Sequence, residues 1–162
     1  MAGYGTDNGF TDWLTGNGFS LPAGASSPAA LRQIGSVYVD AHAFPGAPTG
    51  GFAQDRAWPR SGALAYGQDI PLDVIPSKVV DAAYAAGYFE ALNPGALTTR
   101  SPAIDQQVKR KKERVEGVVE EETEYFAAPS TGDSAKVTVS MAEDLLKPFV
   151  LSTDAEPTFY IV

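Results

Sequence analysis

The residues that could do chemistry are few, and their spacing limits what that chemistry would be. The one histidine, His42, shares a short stretch with Ser36 and Asp40, the residue types of a nucleophilic triad. A triad is assembled from separate elements that deliver nucleophile, base and orienting acid to one point. Neighbours along one predicted helix do not offer that, so His42 is read as a surface or boundary residue. Carboxylates recur at Asp69 and Asp73, on either side of Pro71, and at 120–122. Neither run has the alternating ligand positions of a calcium loop, and both are read as solvated charge. The glycine-rich stretches at 16–18 and 46–51 lack the following Lys and the preceding strand of a phosphate loop. With no cysteine in the chain, disulfides and thiolate metal sites are excluded. No catalytic residue, metal or cofactor is expected, and the protein is read as not an enzyme.

Phosphate binding is the remaining candidate. Residues 109–114 carry a formal charge of +4, and Tyr125-Phe126 downstream could stack on bases. The following stretch, 116–124, carries −5, so the two halves nearly cancel. The whole chain of 162 residues has 12 Lys and Arg against 20 Asp and Glu, a net charge of −8. Tight binding to nucleic acid runs on cations that displace counterions from phosphate. A chain this acidic lacks that driving force unless its cations gather on one face.

Positioning elements follow from pattern. The length fits one domain, of radius of gyration near ~15 Å if compact. Hydrophobic residues make up 44 %, but Ala and Gly supply much of that, so the core is expected to be modest. Phe10, Trp13 and Leu14 fall on one helical face and predict a short helix from about 6 to 15, with Gly16 as its left-handed stop. Ser27-Pro28 caps and opens a second helix to about Ala43, with a stripe of Leu31, Ile34, Tyr38 and Ala41 and with Val37 beside it. Residues 45–51 read as a mobile Gly/Pro loop. A third helix opens at Pro76 and closes at Asn93, with Val80, Ala83, Tyr84, Gly87 and Ala91 as its stripe. Its small residues would let another helix approach closely. Ser140 and Glu143 form a capping box for a short last helix ending near Lys147. No signal peptide and no run long enough to span a membrane is read, so a soluble protein is expected.

Residues 109–124 predict a hairpin about Glu116-Gly117, with Lys112 facing Glu121, Lys111 facing Glu122 and Lys109 facing Glu124. Each opposite-charge pair would add ~0.2–1 kcal/mol. A helix would also offer pairs here, but Gly117, Val118, Val119 and Thr123 count against it. The fold class is thus mainly α: a small helical bundle with a β-hairpin or extended arm and a C-terminal tail. Its parts are a helical core over 1–103, the charged arm over 104–127, a short helix over 128–150 and an extended tail over 151–162.

One stretch does no chemistry yet is the most distinctive in the chain. Trp58-Pro59-Arg60-Ser61-Gly62 is followed by Ile70-Pro71-Leu72-Asp73-Val74-Ile75-Pro76 and the Ala-rich helix. This arrangement fixes backbone shape, with Trp58, Pro59, Arg60 and Pro76 as the structural turn. It closely resembles a signature of head–tail connector, or adaptor, proteins of tailed phages, some of them labelled putative DnaT-like single-stranded-DNA-binding proteins. The likeness is specific over 56–92 and generic at the ends. The chain departs from the family pattern in its Gly/Pro loop at 45–51 and its hydrophobic last four residues.

The resemblance implies a virion structural protein, made in the host cytoplasm and placed in the neck of a phage or gene-transfer-agent-like particle. It implies a ring of roughly twelve copies, since a closing head-to-tail interface generates a cyclic assembly. Its partners would be other copies of itself, the portal protein and the next neck protein, a stopper or tail terminator. Genomic double-stranded DNA would pass through the lumen without being gripped, and no membrane would be involved. Lys109, Lys111, Lys112, Glu121, Glu122 and Glu124 would form the arm between subunits. Phe159, Tyr160, Ile161 and Val162 would dock on the portal, on a tail of up to ~40 Å when extended. Pairing of that tail with the chain's own hairpin is the plainer alternative. The alternative function is a DnaT-like single-stranded-DNA-binding protein.

Overall fold

A computed structural model describes residues 2–98, 108–112, 122–125 and 137–151. Two compact units are present, one built from residues up to 98 and from 138 onward, the other from 99–137. The first is helical. Helix α1 spans Asp7–Gly16, α2 Pro28–Asp40, α3 Ser77–Leu92 and α4 Ser140–Leu146. Between α2 and α3 lie two small antiparallel ladders, β1 (Ala47–Pro48) with β2 (Arg60–Ser61), and β3 (Leu64–Ala65) with β4 (Gln68–Asp69).

Helix α1 starts where the Thr6 side chain accepts from the Gly9 N–H at 2.9 Å. Its stop differs from expectation. Gly16 is the last helical residue, and Gly18, at φ 72°, is the left-handed one. Gly18 N–H donates to Thr15 O and Phe19 N–H to Leu14 O, the paired bonds of a Schellman motif. Phe19 then folds back on Trp13, ring centroids 5.8 Å apart.

Helix α2 begins as read, with Ser27 capping Ala30 N–H, but ends at Asp40 rather than near Ala43. The predicted stripe is rotated: Val37 is 56 % exposed and Ala41 is exposed, while Val39, Ser36 and Gly35 are buried. The cause is the close approach of α3. A Cβ on Gly35 would sit 1.9 Å from Ala83 O, and one on Gly87 would sit 2.6 Å from Leu31 O. These contacts also set the helices antiparallel, residue 35 against 83 and 31 against 87.

Helix α3 is central. Val79, the run 82–87, Glu90 and Ala91 are all buried, so the helix is covered nearly all round instead of along one stripe. Glu90 is the polar exception, and its carboxylate accepts from Gly95 N–H at 2.6 Å and Leu97 N–H at 2.8 Å, closing the turn beyond the helix. Two apolar clusters flank α3. Phe10, Leu14, Leu31, Tyr84 and Ala91 form one; Tyr38, Val39, Phe44, Trp58, Val79, Leu146 and Phe149 belong to the other. Burying a side chain such as Phe10, 0 % exposed, contributes ~1.5–3 kcal/mol.

The capping box is not formed. Val139 stands at the cap of α4 without a side-chain bond, and Ser140 is the first helical residue. Glu143 turns to α2 instead, accepting from the Tyr38 hydroxyl and lying 2.9 Å from His42 Nε2. Docking one helix on another outweighs a local cap worth about 1 kcal/mol.

In the second unit, β5 (Val108–Lys112) pairs antiparallel with β6 (Glu122–Tyr125), so the charged stretch contains a strand pair. Its register departs from the expected one. Lys112 stands opposite Glu122, Lys111 opposite Thr123 and Arg110 opposite Glu124. An irregularity between Val108 and Arg110 restores the expected alignment at Val108 and Tyr125 and leaves Lys109 without an opposite residue in the ladder. Register follows from the connecting turn and any bulge, and a one-residue bulge absorbs a one-residue offset. Glu121 and the turn at 116–117 lie outside the described residues, as do Phe159, Tyr160, Ile161 and Val162.

Candidate functional site

The Trp-Pro-Arg turn is a clamp, and its backbone comes first. Trp58 is joined to Pro59 by a cis bond and is 1 % exposed. Its indole stands edge-on to Phe44 at 5.5 Å and to Phe149 at 5.9 Å, gripped by the segments that follow α2 and α4 as well as packed beside α3. Arg60, 8 % exposed, aims its guanidinium at four backbone carbonyls: Pro45 at 2.9 Å, Ala57 at 3.0 Å, Phe44 at 3.1 Å and Gly46 at 2.7 Å. Burial lowers its pKa from the ordinary arginine value. The five donors of a planar guanidinium reach four acceptors spread around it, where a lysine ammonium offers three donors from a single point. The Gly/Pro stretch is thereby held, where a mobile loop was expected: β1 pairs with β2, and Thr49 N–H donates to Pro59 O at 3.2 Å.

Two further arginines tie down backbone in the same way. Arg32 donates to the carbonyls of Gly3, Tyr4 and Gly5 at 2.8–3.0 Å and pairs with Asp7 at 2.7 Å. Arg56 donates to Ala2 O and pairs with Asp40, each at 3.0 Å. Tyr4, missed in the sequence, is buried at the centre of this network. Its hydroxyl donates to Asp40 and accepts from Trp58 N–H at 3.1 Å. Burial, with the Asp40 hydrogen bond and charge behind it, pushes its phenol pKa well up. A tyrosine four residues from the start, in a run of Gly and Ala, carries no periodic signal that would have marked it.

The clamp also sets where the C-terminal segment begins. Phe149 packs on Trp58, and Leu151 N–H donates to Ala43 O at 3.0 Å. The chain after Leu151 therefore starts from the turn region that the signature builds. Pro76 caps α3 in the same unit, its carbonyl accepting from Val79 N–H at 2.9 Å.

The catalytic candidates are not brought together. Ser36 accepts from Tyr4 N–H and donates to Arg32 O, Asp40 serves Tyr4 and Arg56, and His42 faces Glu143. Asp69 and Asp73 are exposed. No group of three His, Cys, Asp or Glu able to hold a metal occurs among the described residues, and no helix among them is long and apolar enough to cross a membrane.

Charge is divided unevenly. Residues 2–98 and 138–151 hold five Lys and Arg against ten Asp and Glu. Of those five cations, Arg32, Arg56 and Arg60 are committed to carbonyls and carboxylates within the fold, and Lys78 lies 2.7 Å from Tyr66 Oη. Concentrated positive charge is found only at 109–114, where β5 sets Arg110 and Lys112 opposite Glu124 and Glu122.

The sequence profile of the family described as "Putative DnaT-like ssDNA binding protein" matches residues 3–161, and the chain belongs to that family. No curated protein matches the chain. No solved structure matches it either.

Proposed function

We propose that this member of the DnaT-like family is a structural protein, a head–tail connector subunit in the neck of a tailed phage or related particle. Roughly twelve copies close into a ring on the portal, and the ring passes genomic DNA without holding it. The distribution of charge carries this reading. The described part of the helical unit has twice as many acids as cations, and its arginines already serve the fold. A surface of that kind repels phosphate, which suits a conduit wall and opposes a grip. The resemblance over 56–92 supports the same role, and the clamp built by that signature holds Phe149 and Leu151, from which the last residues would reach the portal. The tail's last residues, Phe159, Tyr160, Ile161 and Val162, are the proposed anchor, and the charged hairpin is the proposed contact between subunits.

A second reading rests on the family's description and on the cation run of β5: binding of single-stranded DNA. Retention of labelled single-stranded DNA, titrated from low to physiological salt, separates the two. The connector reading expects no saturable retention at physiological salt, with or without charge-neutral substitutions at Lys109, Lys111 and Lys112. Saturable retention that weakens steeply with salt, and is lost in that variant, would overturn it in favour of DNA binding.

A further inference from the structure

His42, the chain's one histidine, stands just past the end of α2 with its side chain 10 % exposed. Both ring nitrogens face acceptors. Nδ1 lies 3.1 Å from Tyr38 O and 3.2 Å from Val39 O, and Nε2 lies 2.9 Å and 3.1 Å from the two carboxylate oxygens of Glu143. A neutral imidazole carries one N–H, so one of its nitrogens would meet these oxygens with a lone pair. Only the imidazolium donates on both sides. Burying a charge is costly unless it is paired and bonded, and here each N–H has an acceptor and the counter-charge is a carboxylate. The end of α2 adds to this, since a helix C-terminus favours positive charge and the last turn of α2 holds no Lys or Arg.

The other titratable groups on the described elements around the ring are engaged elsewhere or exposed. Asp40 serves Tyr4 and Arg56, and Arg60 is turned to the carbonyls of Phe44, Pro45, Gly46 and Ala57. Asp144 and Lys147 on α4 are exposed. Tyr38 presents its ring to the edge of His42, centroids 5.3 Å apart, and donates its hydroxyl to the same Glu143 carboxylate.

What this bridge holds is α4. Its seven residues are too few to sustain a helix alone, and its cap has no side-chain bond. The helix therefore depends on docking. Ala142, Leu146 and Phe149 are its buried apolar ties. The described polar ties all run to one place, the last turn of α2 and the residues just beyond it. Glu143 meets Tyr38 and His42, Val139 N–H donates to Tyr38 Oη at 2.9 Å, and Leu151 N–H donates to Ala43 O at 3.0 Å.

We propose that His42 is a proton-dependent latch: as imidazolium it ties α4, and the segment through Leu151, to the end of α2, and loss of its proton loosens them. This goes beyond the connector reading and does not depend on it. The tie is present while the ring is protonated and is lost as pH rises through the range in which histidine gives up its proton, between about pH 5 and 8. Hydrogen exchange of the full chain, followed by NMR and corrected for the intrinsic pH dependence of exchange, reads the latch directly. The amides of Lys147, Phe149 and Leu151, all bonded within this segment or to Ala43, are expected to lose protection at least about tenfold from about pH 5 to about pH 8. Those of buried α3 residues such as Ala83 and Ala86 are expected to keep theirs. His42→Gln keeps a polar side chain without the charge, and is expected to make protection of α4 independent of pH over this range. The wild-type ring, the one imidazole in the chain, is expected to show both nitrogens protonated at the acid end in heteronuclear spectra. Protection of α4 that does not change with pH, or that changes equally in His42→Gln, overturns the latch. Equal loss in α3 contradicts it as well, since the whole unit would then be opening. A neutral ring at the acid end in the folded protein also overturns it, and that result stands even where the Gln variant fails to fold.

Discussion

Arg60 shows how much of this fold turns on single side chains. Four carbonyls depend on its guanidinium, and no carboxylate balances it among the described residues. Arg60→Lys keeps the charge and loses the fork, so the midpoint of urea unfolding is expected to fall by an amount equivalent to ~2–3 kcal/mol. Trp58→Ala, opening a cavity between Phe44 and Phe149, is expected to cost ~3–5 kcal/mol by the same measurement. Unchanged midpoints would remove the clamp. Tyr38 adds a pH dependence. Burial first, and the hydrogen bond to Glu143 second, push its phenol from 10.0 up to about 12. The unfolded chain therefore releases that proton first as pH rises. Stability present below about pH 10 should fall as pH climbs toward 12, and Tyr4 acts in the same direction. Tyr38→Phe should be less stable at neutral pH, having lost the bonds to Glu143 and Val139, but should lose stability less steeply between pH 10 and 12. An equally steep loss in that variant would contradict the assignment. Of these residues, Trp58 and Arg60 were legible from the sequence as a shape-setting turn. Arg60's acceptors were not, because backbone carbonyls leave no mark on side-chain pattern.

Among the elements, the helices were legible and their faces were not. Ser27-Pro28 and Pro76 placed the starts of α2 and α3 within a residue, since capping chemistry is local. Which side of α2 is buried depends on Gly35 meeting the backbone of α3, a tertiary contact that hydrophobic spacing does not encode. Likewise Ser140 and Glu143 had the spacing of a capping box, but Glu143 is drawn to Tyr38 on α2 and to His42 just beyond its end. The hairpin was readable from its charges, its register only to within the bulge beside Lys109. Two glycines make the helix contact testable. Gly35→Ala, with its methyl 1.9 Å from Ala83 O, should destabilise by ~1–3 kcal/mol or more. Gly16→Ala at the end of α1, where a Cβ meets nothing within 4 Å, should gain ~0.4–1 kcal/mol. Similar effects of the two substitutions on the unfolding midpoint would contradict the α2–α3 packing.

For the whole molecule, the acidic balance and the committed arginines are what support the proposed conduit role. Net charge −8 was plain in the sequence. That the arginines of the helical unit are already occupied was not, and this is what turns an acidic composition into evidence against gripping DNA. The tail's destination is the part furthest from reach by composition alone, since an apolar end suits a partner groove and a strand addition alike. Electron microscopy of purified particles tests the connector role most directly. Roughly twelve-fold density for this chain is expected beneath the portal, with the segment after Leu151 directed toward it. Intact particles from which the chain is absent would contradict that role.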